Sequence, residues 1–378
     1  MSVGPGSTIG IFGGGQLARM TALAARAMGY DVIVLDPNAA CCAAPVASQV
    51  IAARFDDVEA AAELGRRCDV ITYEIERVSI AALRAAADFT PVRPSPDVLA
   101  VVQDRARQKA WLASAGFPMG PWRAATDGAA AAVAAGTLGL PCHVKRTRGG
   151  YDGRGQARVA HGDDVEAVVA TLGQGPFVVE QELPLTGELS VLVATSPSGK
   201  RAIYPAAQNW HQGGILSHSV LPGAFAPSLA RRAEELAAAI ATRLGVVGLL
   251  VVEMFVAHDE LWINELAPRP HNSFHASELA SYTSQFEQLV RAVCDLPLGA
   301  VQTRAPTALV NLLGDLWLDP RRRPALEEAL ALGGVTLRLY GKEPLHARKV
   351  GHLLASAATS AEAVALARTA FVRLAGNG

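Results

Sequence analysis

The first hundred residues alternate between two apolar periodicities. Apolar runs over 7–12, 32–36 and 70–73 read as strands, while 17–28, 58–66 and 80–87 set apolar side chains at helical spacing. That alternation predicts a parallel sheet with crossover helices. Pro91-Val92-Arg93-Pro94-Ser95-Pro96 interrupts the pattern and marks a linker. Asp97 is placed to cap a helix running toward Lys109, and the next helix, over 108–115, ends at Gly116. From Leu140 the texture changes to short strands, hairpins and glycine loops, with helices over 227–244 and 284–294. After Pro297 a smaller module shows strands over 307–312, 335–340 and 349–354, and helices between 324 and 332 and over 360–372. The fold class is therefore α/β followed by α+β.

Two strand-like segments, 249–256 and 261–266, each carry an acid in an apolar setting. Ala257-His258-Asp259-Glu260 is a tight turn between them. A hairpin symmetric about Asp259 pairs Phe255 with Ile263 and Glu253 with Glu265. Carboxylates directly opposite on one sheet face repel each other. Half-buried, they are tolerated only with a cation between them or with one protonated. A hard cation with oxygen ligands, most simply Mg²⁺ carrying nucleotide phosphates, suits such a pair. The alternative is a slipped register that turns both acids to solvent.

Composition narrows the classes. The chain has 378 residues, half of them apolar, and a net charge of −1. That size allows two or three domains, and that charge argues against nucleic-acid binding through bulk charge. The N-terminus carries no secretory pattern, and no apolar run of about 18 residues suggests a membrane span. Five cysteines without a C-x-x-C pair suit reduced thiols in the cytoplasm.

Further clusters carry chemistry. Gly13-Gly14-Gly15-Gln16-Leu17-Ala18 follows a strand and opens a helix, with Asp36 ending the second strand. Such a turn suits an anion or substrate, and taken alone would also fit a dinucleotide. Lys145 ends a strand before Arg146-Thr147-Arg148-Gly149-Gly150-Tyr151-Asp152-Gly153-Arg154-Gly155-Gln156, a glycine-rich hairpin lid whose amides and cations suit phosphates. Phe177-Val178-Val179-Glu180-Gln181-Glu182-Leu183 offers an extended backbone edge to adenine, and Glu188 an acceptor for ribose hydroxyls. Arg269, His271 and Asn272 project from Pro268-Arg269-Pro270-His271-Asn272-Ser273-Phe274-His275, a rigid loop able to hold a small anion. His271 and His275 lack an evident third metal ligand. Arg348-Lys349 opens a strand and could clamp a phosphate. Neither a G-x-S-x-G elbow nor an H-E-x-x-H motif is present.

With these motifs in view, the chain resembles the N5-carboxyaminoimidazole ribonucleotide synthetase family of the ATP-grasp superfamily, essentially end to end. The most specific pieces are Gly13-Gly14-Gly15-Gln16-Leu17, Thr72-Tyr73-Glu74, Gly149-Gly150-Tyr151-Asp152-Gly153, Asn264-Glu265, Ala267-Pro268-Arg269-Pro270-His271-Asn272-Ser273, Thr283-Ser284-Gln285-Phe286-Glu287-Gln288 and Arg348-Lys349-Val350-Gly351-His352. The resemblance implies an ATP-grasp fold with an N-terminal Rossmann-like domain (1–96), an ATP-grasp domain (97–296) and a small C-terminal β-rich domain (297–378). It implies a carbon–nitrogen ligase that joins bicarbonate to 5-aminoimidazole ribonucleotide at the expense of ATP, through carboxyphosphate, in purine synthesis. The alternatives are another ATP-grasp ligase (a formate-dependent transformylase, or a carboxylase of a different acceptor) and a silent nucleotide-binding homologue.

By this likeness ATP contacts Arg105, Lys145, Gly150, Tyr151, Asp152, Gly153, Arg154, Gly155, Gln156, Glu180, Gln181, Glu182, Leu183, Glu188, His211, Asn264 and Glu265. Glu253 and Glu265 hold Mg²⁺, or Mn²⁺. Gln16, Leu17, Glu74, Arg348 and Lys349 hold the ribonucleotide, and Tyr151, Arg154, Arg269, His271, Asn272 and Lys349 serve catalysis. A cytoplasmic homodimer is implied, with a carboxyaminoimidazole ribonucleotide mutase as functional partner and neither nucleic acid nor membrane. Four positions depart from the usual pattern: Ala18 for glycine, Arg154 for lysine, Arg77 for asparagine and Phe274 for glycine. A positive φ at that last glycine would force phenylalanine into a different loop.

Overall fold

Strands β1 (Thr8–Phe12), β2 (Asp31–Asp36), β3 (Gln49–Ala52) and β4 (Val70–Tyr73) form a parallel sheet in the order β3-β2-β1-β4. Helices Gln16–Ala27, Val58–Arg67 and Ile80–Ala87 make the crossovers, as the periodicity predicts. The computed structural model describes every residue except Met1, Tyr151, Asp152, Pro320, Arg322, Asn377 and Gly378. β3 is a short strand that the apolar pattern does not announce.

The linker leads into two helices, but they divide at Gln103-Asp104 rather than near Gln108. Ser95, rather than Asp97, caps Pro96–Val102 by accepting from the Val98 N–H. Asp104 then caps Arg105–Ser114, accepting from the Ala106 and Arg107 amides. The break matters, because it sets Arg105 and Lys109, one turn apart, along one face of the second helix.

β5 (Trp122–Ala125), β6 (Cys142–Arg146), β7 (Gln156–Val159) and β8 (Phe177–Gln181) build an antiparallel sheet in the order β5-β8-β6-β7. The alanine-rich helix Gly128–Leu138 lays Ala131, Ala134 and Ala135 against it.

The third sheet has nine strands: β9 (Gly187–Thr195), β10 (Arg201–Ile203), β11 (Ala207–Gln212), β12 (Ile215–Leu221), β13 (Gly248–Ala257), β14 (Glu260–Ala267), β15 (Thr307–Leu313), β16 (Val335–Leu339) and β17 (Lys349–Ser356). Its order is β14-β13-β9-β11-β12-β15-β17-β16, with β10 beside β9. The module after Pro297 thus shares a sheet with the middle of the chain, through pairing of β12 with β15. The largest core cluster joins the first sheet, β9, β13 and the helix Gln285–Val293. No helix among the described residues is long and apolar enough to cross a membrane. All five cysteines are free.

The β13–β14 hairpin departs from the symmetric expectation and still reaches its main result. His258 and Asp259 both have positive φ, 53° and 59°, so the turn has two residues. Ala257 pairs with Glu260, Phe255 with Trp262, and Met254 with Ile263, so the expected Phe255–Ile263 pair is not formed. A bulge then inserts Asn264 as an extra residue, and Glu253 faces Glu265. Without the bulge, Glu265 would point to the opposite side of the sheet.

Candidate active site

Two cavities meet over this hairpin. The larger, about 780 Å³, lies between the first sheet, the glycine loop and the residues before β17. The smaller, about 330 Å³, lies between the second and third sheets. They share Arg105, Glu265, His271, Asn272 and Lys349. Gln16, Leu17, Glu74, Gly150, Arg154, Arg269 and Arg348 line the larger cavity only. Lys145, Gly153, Gln156, Glu180, Gln181, Glu182, Leu183, Glu188, His211, Glu253 and Asn264 line the smaller. Gly155 lines neither, and its carbonyl accepts from the Arg146 N–H. Tyr151 and Asp152 lie outside the described residues.

At the junction the charges interlock. Arg105 Nη1 donates to Glu265 Oε2 at 2.8 Å, and His271 Nε2 lies 3.2 Å from Glu253 Oε1. Burial and then the neighbouring Glu265 push the Glu253 carboxyl up. Burial acts the same way on Glu265, but the Arg105 guanidinium outweighs it and holds that carboxyl low. One acid of the opposed pair is thus inclined to keep a proton until a cation arrives. Beside them Asn264 Oδ1 is buried with no hydrogen-bond partner. Two opposed carboxylates and an unpartnered amide oxygen make a donor set suited to a hard cation.

Deeper in the smaller cavity, Glu180 Oε2 lies 3.1 Å from Lys145 Nζ and 3.4 Å from Lys109 Nζ. Burial would raise the Glu180 carboxyl, yet the two lysines and Arg105 bring it down to about 2. For Lys109, burial comes first and pushes its pKa down, with Lys145 adding to the effect. On the far wall His211 Nδ1 donates to Glu188 Oε2 at 2.6 Å. The glycine loop reaches this wall by backbone contact. A Cβ on Gly153 (φ +75°) would stand 2.7 Å from the Gly213 carbonyl oxygen.

In the larger cavity the first glycine turn seats an acid. The Gly15 N–H donates to Glu74 Oε1 at 2.7 Å, and a Cβ on Gly15 would stand 2.5 Å from that oxygen. Burial raises the Glu74 carboxyl to about 7, against the pull of the Gly15 amide and Lys342. Asp36 Oδ2 accepts from the Gly14 N–H at 2.7 Å, so the acid that a dinucleotide reading would give to a ribose is committed to the turn. Arg269 Nε donates to Glu76 Oε1 at 2.7 Å, which ties the proline loop to the first domain. Burial, then Arg269, push His271 down to about 3.

Phe274 causes no distortion. It closes the 3₁₀ turn Asn272–Phe274, has no positive φ, and is fully buried with its ring edge-on to Tyr204 at 5.9 Å. Arg77 lines the larger cavity. Sequence reasoning missed Lys109, Glu76 and Lys342. Lys109 follows Arg105 by one helical turn, and Glu76 completes Tyr73-Glu74-Ile75-Glu76, so both had local signals. Lys342 donates to Gln16 Oε1 and lies over the Tyr340 ring, a placement that only the tertiary fold creates.

The family profile of the ribonucleotide synthetase preATP-grasp domain matches residues 6–103, and that of the ATP-grasp domain matches 110–286. The profile of the phosphoribosylaminoimidazole carboxylase C-terminal domain matches 307–365. An N5-carboxyaminoimidazole ribonucleotide synthase of Brucella melitensis biotype 1 is 42% identical over 93% of this chain and 97% of its own. The crystal structure of an N5-carboxyaminoimidazole ribonucleotide synthetase in complex with ADP superposes with a TM-score of 0.92, at 37% identity over 98% of each chain. That of an Aspergillus clavatus N5-carboxyaminoimidazole synthase with ADP and 5-aminoimidazole ribonucleotide gives 0.88, at 27% identity over 97% of this chain and 98% of its own.

Proposed function

Since the chain belongs to the N5-carboxyaminoimidazole ribonucleotide synthase family of ATP-grasp enzymes, we propose that its smaller cavity takes ATP and its larger one 5-aminoimidazole ribonucleotide. The enzyme is an ATP-dependent ligase of purine synthesis. It turns ATP, bicarbonate and the ribonucleotide into N5-carboxyaminoimidazole ribonucleotide, ADP and phosphate, through carboxyphosphate. The observation that supports the division is the junction, where Arg105, Glu265, His271, Asn272 and Lys349 line both cavities. A γ-phosphoryl group and an amine held on its two sides face one small common volume.

Bicarbonate carbon is electron-rich and resists attack by an amine. Phosphorylation gives it a leaving group, and the protein's task becomes positioning and charge neutralisation. Lys145 and Arg105 offer cations to the phosphates. The backbone of Glu180, Gln181, Glu182 and Leu183 meets adenine, and Glu188 meets the ribose. Glu253 and Glu265 would hold Mg²⁺, which when bound neutralises phosphate charge. Arg269 and His271 orient bicarbonate. Gln16, Leu17 and Glu74 hold the ribonucleotide base and sugar, while Arg348, Lys349 and Lys342 surround its phosphate with positive charge. The glycine loop excludes water that would otherwise hydrolyse carboxyphosphate.

We further infer a homodimer acting in the cytoplasm and passing its labile carbamate product to a carboxyaminoimidazole ribonucleotide mutase. The test of the reaction is a coupled ADP-release assay with the ribonucleotide. Release should depend on added bicarbonate. Equal release in bicarbonate-depleted buffer, or activity only with formate or another amine acceptor, would overturn the assignment.

A further inference from the structure

Behind His271 runs a chain of buried polar side chains that begins at an amide donor. Asn209 Nδ2 donates to Ser190 Oγ at 3.1 Å, and Ser190 Oγ donates to Ser273 Oγ at 2.8 Å. Ser273 Oγ lies 2.9 Å from His271 Nδ1. Ser190 and Ser273 are fully buried and Asn209 nearly so. The relay comes from the sheet itself, since Ser190 on β9 pairs with Glu253 on β13, and Asn209 lies on the next strand, β11.

An amide –NH₂ can only donate. Ser190 Oγ accepts from Asn209 and gives its one proton to Ser273 Oγ, which leaves the Ser273 proton available to His271 Nδ1. The Ser273 backbone N–H also points at Nδ1, at 3.4 Å, as the cap of the 3₁₀ turn. With the relay reversed, an Nδ1–H would face that amide hydrogen across a long contact of 3.4 Å, a penalty smaller than the loss of the relay's own hydrogen bond. Both observations leave Nδ1 as an acceptor and place the proton on Nε2, which faces Glu253 Oε1 at the junction.

We propose that Asn209 and Ser190 are positioning residues which, through Ser273, lock His271 as the Nε2–H tautomer, so that it donates a hydrogen bond to the oxyanion of bicarbonate or carboxyphosphate and cannot take a proton from it. The identity of that oxyanion rests on the reaction proposed above, whereas the tautomer does not. No covalent step is assigned to His271. Its contribution is a directed N–H where charge develops.

The test combines spectroscopy with kinetics on the full-length enzyme. In ¹⁵N-histidine-labelled protein, long-range proton–nitrogen correlations report the tautomer, and His271 is assigned by its absence from the His271→Gln spectrum. The wild type should show Nε2–H. Ser190→Ala should populate Nδ1–H and lower kcat about tenfold with KM for ATP unchanged, the scale of one lost hydrogen bond. Ser190→Thr, which keeps the hydroxyl, should restore both readouts. Asn209→Asp, whose carboxylate only accepts, should reverse the relay and favour Nδ1–H, and it serves if Ser190→Ala does not fold. An Nδ1–H wild type, a tautomer indifferent to both variants, or a shifted tautomer with unchanged kcat would overturn the proposal. A wild type that is Nε2–H but has no bicarbonate-dependent turnover would refute the reaction and leave the relay standing.

Discussion

Replacing Phe274 by glycine, the residue that the family resemblance leads one to expect there, should damage this protein rather than improve it. The ring is fully buried and belongs to the largest core cluster, edge-on to Tyr204. Cutting a buried phenylalanine to alanine costs about 3–5 kcal/mol through lost burial and the cavity left behind. Removing the last carbon frees the backbone and adds about 1 kcal/mol. The loss of about 4–6 kcal/mol is a large share of a domain's net stability of about 5–15 kcal/mol. Urea unfolding followed by tryptophan fluorescence measures it. With a slope of about 2–3 kcal/mol per molar, the midpoint should fall by about 2 M. Phe274→Leu, which keeps most of the volume, should lose far less. Bicarbonate-dependent ADP release by the glycine variant, assayed below its transition, should not exceed that of the wild type. An unchanged midpoint together with a raised kcat would show that phenylalanine strains the loop and that the packing argument is wrong.

Three further outcomes follow from the site. Glu265→Gln should still bind free nucleotide weakly but lose Mg²⁺-dependent turnover by about a hundredfold or more, an effect within reach of charge stabilisation at a phosphoryl-transfer site; a near-normal kcat would remove the metal assignment. Lys349→Ala and Lys342→Ala should each raise KM for the ribonucleotide more than KM for ATP, with the cleaner separation for Lys342, which lines only the larger cavity; the reverse order would show the substrate phosphate to be misplaced. Glu180 has a folded pKa of about 2 against an ordinary 4.5, so its ionised form stabilises the fold above pH 4.5 and that contribution fades as pH falls toward 2. Acid titration of stability should lose about 3 kcal/mol over that window from this group. Glu180→Gln should flatten that limb, and an unaltered acid limb would contradict it.

The sequence made most of the first sheet legible because β1, β2, β4 and the three helices each have their own period within a few residues, whereas the four residues of β3 are too few to show one. The hairpin was legible in its result and not in its route. A symmetric turn and a two-residue turn with a bulge both set Glu253 against Glu265, but the bulge at Asn264 leaves no local trace. The helix break was expected near Gln108 rather than at Asp104 because an apolar stripe runs through both helices, and Asp97 resembles a cap as well as Ser95 does. Cavity-lining residues that belong to a sequential motif were readable. Lys342 and the Asn209–Ser190–Ser273 relay were not, because strands distant along the chain create them. Phe274 misled, since a deviation from a motif says nothing about the core it enters.

The continuity of the third sheet has a consequence for shortening this chain. A polypeptide stopping before Thr307 would retain every residue of the smaller cavity except Lys349, yet β12 would become a bare border. The backbone from His218 to Leu221 would lose the partners that β15 supplies and offer them to any passing strand. The C-terminal segment is thus a hem as well as a wall of the larger cavity, and its removal should bring precipitation before it brings a smaller working enzyme.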